Sequence, residues 1–330
     1  MDIVRTAQKL ADDVLFPAAL KTDAANTLSK ELLDELADAG LYGLTGPTWA
    51  GGLDADFQTV CDVVEALSSG CLTTAFVWAQ HIGGVRAAAG SDNALIKEWV
   101  RSLCSGERRA GLALGGALAG KPSLRAERIT GGWSFNGVSP FVSGWGRIDV
   151  VHAAARSDDG ELVWAFVDAR ETDTLVARRL ELAVLNATPT ARVEFRGHPV
   201  ADERVSSVAS YVEGATPPEA LRIHASFALG VAARCCKLLG RTPLDEELSD
   251  LRIALDRLDP ESIEAARGAA GELAWRAAGA LAVTTGARSL LMENQAQLLA
   301  REALFVLVYA LRPGSRASVL AQLRASLHLP

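Results

Sequence analysis

Residues 136–149 read NGVSPFVSGWGRID, and the parsing of this stretch decides the architecture. Asn136-Gly137 joins two residues that tolerate positive φ, as a type I′ hairpin turn demands. The alternation Trp133, Ser134, Phe135 runs into it, and the extended segment Phe141-Val142-Ser143 runs out of it. Gly144 and Gly146 bracket Trp145 and let another group approach the backbone closely. Period-two patterning continues to both sides, with strands expected over 110–114, 124–129, 133–138, 148–155, 162–168, 174–179 and 191–195. Gly131-Gly132 and Asp158-Asp159-Gly160 are further turn signals. The expectation is a central antiparallel β-barrel or sandwich.

Moving outward, the period changes to that of helices. Upstream, Ile3, Ala7, Leu10 and Val14 share one face; Thr27 or Ser29 opens a second helix that stops at Gly40. Asp56 is placed to cap a third helix, 72–89 is almost wholly apolar, and Ser91 or Asp92 opens a fifth that ends at Gly106. Downstream, Gly197-His198-Pro199 forms a turn out of the strands, and Pro217-Pro218 starts a helix with Ile223, Phe227, Val231 and Cys235 on one face. Helices follow over 244–258, 260–285 and 290–311, with a short last one after Pro313. The fold class expected is α+β multidomain: an N-terminal helical domain (1–107), a β domain (108–205) and a C-terminal four-helix-type bundle (206–330).

Composition narrows the function classes. The 330 residues carry a formal net charge of −7 with no basic block, which argues against nucleic acid or an anionic membrane as partner. Five cysteines, at 61, 71, 104, 235 and 236, make no CxxC pair and read as buried reduced thiols of a cytoplasmic protein. The first 14 residues form an amphipathic pattern without a signal-peptide core. The longest apolar run, 304–311, is too short to span a bilayer. His81, His152 and His198 lack metal-ligand spacing, so no metal is expected. GLALGG, at 111–116, lacks the full dinucleotide fingerprint and a following helix, and Ser143 has no histidine partner in sequence context. The stripe Leu304, Leu307, Val308, Leu311 reads as core or subunit interface.

Four stretches together carry a resemblance: LADAGLYGLTGPTWAGGLDA (36–55), AERITGGWSFNGVSPFVSGWGRIDVV (126–151), VEFRGHPVADERV (193–205) and ALGVAARCCKLLG (228–240). In this order the chain resembles the acyl-CoA dehydrogenase family of flavoproteins. The resemblance implies bound FAD, which takes a hydride from the β carbon of an acyl thioester while a carboxylate removes the α proton. It implies that Phe141, Val142 and Ser143 pack beside the flavin ring, with the Ser143 hydroxyl near the flavin N5. It further implies that the strand Leu112 to Leu114 and Gly115 faces the ring's pyrimidine side, and that Gly286 meets FAD across a dimer. The implied partners are an acyl-CoA or acyl-carrier substrate and either a second copy of the chain or a full-length homologue.

The departures bear on function. The family's acidic Thr-Glu-Pro loop is replaced by GGALAGKP (115–122), and its Arg-x-x-Phe-Gly segment for the adenine end is missing. The usual catalytic carboxylate, in Tyr-Glu-Gly-Thr, is matched by Tyr309-Ala310-Leu311-Arg312, and alanine cannot abstract a proton. Glu219 lies near the alternative base position of some relatives but one residue out of register, where a helix-dipole role is the simpler reading. The catalytic residue is therefore left unassigned. Three readings follow: a dehydrogenase with a relocated base, a non-catalytic partner subunit, and a flavin-dependent monooxygenase in which His81 aids oxygen chemistry. For His81 a core or helix-end role is preferred. A slot beside Ser143, lined by Phe141, is expected between the β domain and the bundle, with no Asp or Glu of the Tyr309 helix facing it.

Overall fold

Helices begin where a side chain can satisfy the first free amides. In the computed structural model, which describes residues 2–118, 120–212, 216–311 and 313–326, the Asp2 carboxylate accepts the Arg5 N–H at 3.1 Å and opens α1 (Ile3–Leu10). A π-helical turn, Ala11–Leu15, joins it to α2 (Phe16–Ala24). Ser29 caps α3 (Lys30–Asp38), which gives way to Gly40 in the left-handed region. Asp56 caps α4 (Phe57–Gly70), accepting the Thr59 N–H at 2.7 Å. The apolar α5 (Leu72–Gly90) is central; Asn93, not Ser91 or Asp92, caps α6 (Ala94–Glu98), and α7 (Val100–Ser105) ends at Gly106.

Eight strands follow: β1 (Ala110–Ala113), β2 (Leu124–Ile129), β3 (Gly132–Val142), β4 (Val150–Ser157), β5 (Glu161–Asp168), β6 (Leu175–Arg179), β7 (Ala191–Ala201) and β8 (Val205–Ser210). They form one sheet in the order β6-β7-β3-β2-β4-β5-β8, with β1 beside β4. Most pairs are antiparallel, but β1 and β2 both run parallel to β4, so the sheet is mixed. The cause is the path after β3. That strand returns antiparallel to β2, and residues 143–149 then carry the chain to β2's other side, so β4 must run β2's way.

The Asn136-Gly137 turn is not formed. Both residues lie inside β3, and the hairpin turn is at Thr130-Gly131, where Gly131 has φ +77°. Gly137, at φ +124°, sits at a register shift against β7. A Cβ there would lie 2.0 Å from the Ser123 carbonyl oxygen, so glycine is required by the neighbouring strand rather than by a turn. Likewise Gly197-His198-Pro199 is strand: β7 runs on to Ala201, against the other end of β3.

The C-terminal bundle comprises α8 (Pro218–Leu239), α9 (Leu244–Asp256), α10 (Ile263–Thr285), α11 (Gln295–Val308) and α12 (Pro313–Ser326). It shares a single core with the N-terminal helices, from Leu15 and Leu67 through Phe227 and Leu273 to Val306; the sheet has its own core around Phe135, Val163 and Phe195. On α11 the inward residues are Leu299, Ala303 and Val306, whereas Leu304 and Val308 face outward, so the stripe read from sequence is only partly core. Among the described residues no helix is long and apolar enough to cross a membrane.

The α4–α8 crossing is tight. A Cβ on Gly230 would lie 2.4 Å from the Glu65 carbonyl oxygen and 2.6 Å from Ser68 Cβ. Gly230→Ala is therefore expected to cost about 1–3 kcal/mol by overpacking, read as a lower urea midpoint at unchanged slope. An unchanged midpoint would show that the two helices can separate without loss.

Candidate functional site

At the end of β3 the side chains alternate in and out. Phe141 points outward and is 62% exposed, while Val142 is fully buried in the sheet core and Ser143 retains 8%. Only the backbone of Val142 is thus left to meet a ligand. Gly144, at φ +87°, donates its N–H to the Thr188 carbonyl at 2.6 Å; a Cβ there would meet Val77 of α5 at 3.1 Å. Beyond β1 the chain turns at Leu114–Ala117, closed by the Ala117 N–H on the Leu114 carbonyl at 3.0 Å. A Cβ on Gly116 would strike the Val138 carbonyl at 2.3 Å, and one on Gly115 would touch Pro140 at 3.3 Å. Leu114, Gly115, Phe141 and Ser143 therefore belong to one edge of the sheet. Leu112 sits in β1 opposite His152, half-buried. Gly286 stands apart on the α10–α11 connection, exposed, beside the exposed Val283, Leu290 and Met292.

Behind Ser143 is a row of buried hydroxyls that the sequence reading missed. Ser143 Oγ lies 2.9 Å from Thr190 Oγ1, which lies 2.7 Å from Thr188 Oγ1; Thr188 donates to the Leu185 carbonyl at 2.7 Å. Leu185 belongs to the helical core, so the row links the strand edge to the helices. The one sequence hint was Thr-Pro-Thr immediately before β7, too common a loop pattern to single out.

Tyr309, just past the end of α11, packs against α5 and α8. Its ring packs edge-on against Phe76 at 5.0 Å and His224 at 5.2 Å and stacks on Phe305 at 5.2 Å; burial pushes the phenol up to about 12, and Gln80 hydrogen-bonds it. Phe76 and Gln80 on α5 thus touch Tyr309, and their neighbour Val77 faces Gly144, so one turn of α5 connects Tyr309 with the end of β3. Arg267, nearly fully buried, donates to the Val306 and Tyr309 carbonyls, both at 2.9 Å, and fixes the end of α11. The next residue, Ala310, is exposed at φ +52°.

Neither Glu219 nor Glu302 takes its place. Glu219 is exposed in the first turn of α8. Glu302 of α11 is buried but accepts the Leu72 N–H at 3.2 Å, turned toward the start of α5. His81 accepts the Ala110 N–H on Nδ1 at 2.9 Å, so its hydrogen is on Nε2, donated to the Leu103 carbonyl at 3.1 Å. Burial pulls its pKa down to about 4. With both nitrogens occupied, His81 holds α5, α7 and β1 together. His152 is stacked against Trp164 and Phe166, and His198 lies in β7 within 2.9 Å of Thr174 Oγ1.

Two recesses lie elsewhere. One, about 270 Å³, is lined by Asp168, Arg170, His198 and Arg204; the other, about 450 Å³, by Arg241, Thr242, Asp245 and Ser249. The expected slot is instead an open edge. A planar three-ring group fits it in part: the Phe141 face is bare, the Gly115 turn leaves room, and Ser143 offers a hydroxyl. The short loop at 115–122 carries no carboxylate for the remainder of FAD.

The family profile described as acyl-CoA dehydrogenase, N-terminal domain, matches residues 1–107. A benzylmalonyl-CoA dehydrogenase of Aromatoleum aromaticum is 25% identical over 69% of this chain and 63% of its own length. A 3-sulfinopropanoyl-CoA desulfinase of Paraburkholderia xenovorans is 25% identical over 58% of this chain and 52% of its own. The chain thus spans less than two thirds of either relative. A solved glutaryl-coenzyme A dehydrogenase, in complex with glutaryl-CoA, shares the fold with a TM-score of 0.81 at 17% identity, over 99% of this chain and 95% of that one.

Proposed function

We propose that the chain, whose residues 1–107 match the acyl-CoA dehydrogenase N-terminal profile, is a member of the acyl-CoA dehydrogenase family and an FAD-binding flavoprotein of α,β-dehydrogenation of an acyl thioester. The observation that carries this is the edge at Phe141–Ser143, where a bare aromatic face and a hydroxyl lie beside a turn of α5 that also touches Tyr309. FAD, when bound, accepts the electron pair. Phe141 and the Leu114–Gly115 turn would orient the ring, and Ser143 would meet its edge, with Val77 of α5 packed behind Gly144.

The proton is the open question, and Ala310 answers it in one direction. Ala310 brings no carboxylate, Glu302 is turned to the Leu72 N–H and Glu219 is exposed in the first turn of α8, so this reading takes the base from outside position 310. That favours the reading as a subunit of an assembly with a full-length homologue. The exposed Val283, Leu290 and Met292 beside Gly286 support an assembly face there. The monooxygenase reading loses its named residue, because His81 is fully committed to structural hydrogen bonds. The substrate proposed is an acyl group on CoA or a carrier protein, and five buried free cysteines support a reducing, cytoplasmic setting.

The test is the absorbance spectrum of the protein purified from its native host. The expected result is a flavin spectrum that bleaches when an acyl-CoA is added anaerobically, with a longer homologue co-purifying. A colourless protein that takes up no FAD, alone or with that homologue, overturns the proposal.

A further inference from the structure

Each hydroxyl in the Ser143–Thr190–Thr188 row has a single hydrogen to give. Thr188 gives its hydrogen to the Leu185 carbonyl, which has none to return. The 2.7 Å contact between Thr188 and Thr190 must then use the hydrogen of Thr190. The 2.9 Å contact between Thr190 and Ser143 must in turn use that of Ser143. Only this one-way order satisfies all three contacts. It leaves Ser143 Oγ with free lone pairs and no hydrogen to offer outward. The row is held in place by backbone as well: the Gly144 N–H on the Thr188 carbonyl and the Trp145 N–H on the Pro189 carbonyl fix the two segments side by side.

We infer that Thr188 and Thr190 are positioning residues that make Ser143 a hydrogen-bond acceptor toward the flavin N5, so that the protein holds reduced flavin more tightly than oxidised flavin. This rests on the flavin reading above. Oxidised N5 presents a lone pair and wants a donor. Two-electron reduction brings an electron pair and a hydrogen to N5, which then presents an N–H and wants an acceptor. Ser143 in its fixed polarity matches the second state. Reversing the row to serve the first gives up the Thr188 hydroxyl bond to Leu185, although that carbonyl keeps the Thr188 N–H at 3.0 Å. The preference is therefore worth one hydrogen bond, roughly five- to tenfold between the two flavin states.

The experiment is the midpoint potential of the flavoprotein as purified from its host, with any co-purifying homologue retained, for the wild type and three variants. Thr190→Val removes the acceptor of the Ser143 hydrogen. Thr188→Val removes the end of the row, so that Thr190 gives its hydrogen to Ser143 instead. Both are expected to release the Ser143 hydrogen for oxidised N5 and to lower the potential by about 20–30 mV, the two-electron equivalent of a five- to tenfold change. Thr190→Ser keeps the row and is expected to hold the wild-type potential. The inference is overturned if flavin stays bound and neither valine variant lowers the potential. It is also overturned if only Thr190→Val does so, or if Thr190→Ser shifts as far as Thr190→Val. If Thr190→Val does not fold, Thr188→Val against the wild type decides. A wild-type assembly with no flavin overturns the function proposed above and this inference with it, an outcome distinct from bound flavin at an unmoved potential.

Discussion

Ala310→Glu is expected to turn this chain's own edge into a dehydrogenating one: its flavin bleaches with an acyl-CoA 10²–10⁴-fold faster than in the unmodified chain, the usual worth of a placed general base. The backbone is ready for the change. Ala310 already has φ +52°, a strain that alanine and glutamate bear alike, and it is exposed, so a longer side chain meets no packed neighbour. The preceding turn does not need to move. Arg267 grips the Val306 and Tyr309 carbonyls, and the Tyr309 ring is locked against Phe76, Phe305 and His224. A carboxylate added there would be ionised at neutral pH in its ordinary range and able to take a proton. The measurement is anaerobic stopped-flow bleaching with both ligands shown to be bound. Rates equal to the unmodified chain's would mean that position 310 does not face the reacting carbons, and that the alignment of Tyr309-Ala310 with the family's Tyr-Glu fails in space.

Much of the helical frame was legible because its signals are local. Ser29, Asp56 and Pro218 mark helix starts, and Gly40 and Gly106 mark ends, where side chain or φ alone decides. The sheet was harder, since pairing is a matter of distant neighbours. Asn136-Gly137 has the local chemistry of a hairpin, yet the Ser123 carbonyl across the sheet is what requires Gly137. The parallel pairing of β1 and β2 with β4 has no local signature. In the site, Phe141 and Ser143 were found through a motif, whereas Thr188 and Thr190 were missed because a loop's role depends on what it lies against. Val142 was singled out with its neighbours although strand alternation sends it into the core. Glu302 left a visible trace, a lone acid on the face shared by Leu298, Leu299 and Val306, and its consequence is thermodynamic rather than catalytic.

Glu302→Gln is expected to stabilise the protein by an amount that grows from about 1 kcal/mol at pH 5 to several kcal/mol at pH 8–9. Glu302 is 2% exposed and accepts the Leu72 N–H, serving as the N-terminal cap that Cys71 does not supply for α5. Burial pushes its pKa up to about 8; the Leu72 hydrogen bond pulls the other way, and Asp23 adds to the rise. In the unfolded chain the same carboxyl titrates near 4.3. Between these values the unfolded state has lost its proton while the folded state keeps it, so stability falls as pH rises through that window and levels off above about 8. At about 1.4 kcal/mol per pH unit the accumulated cost is on the order of 3–5 kcal/mol. Glutamine has the same shape, retains an oxygen for the Leu72 N–H, and cannot ionise. The check is the urea midpoint of both proteins at pH 5, 7 and 9. At pH 5 the variant should lead by only about 1 kcal/mol, and by pH 9 it should lead clearly. A gap that stays constant with pH would mean that Glu302 ionises as freely inside the bundle as outside it, and that its bond to Leu72 holds α5 by charge rather than in spite of it.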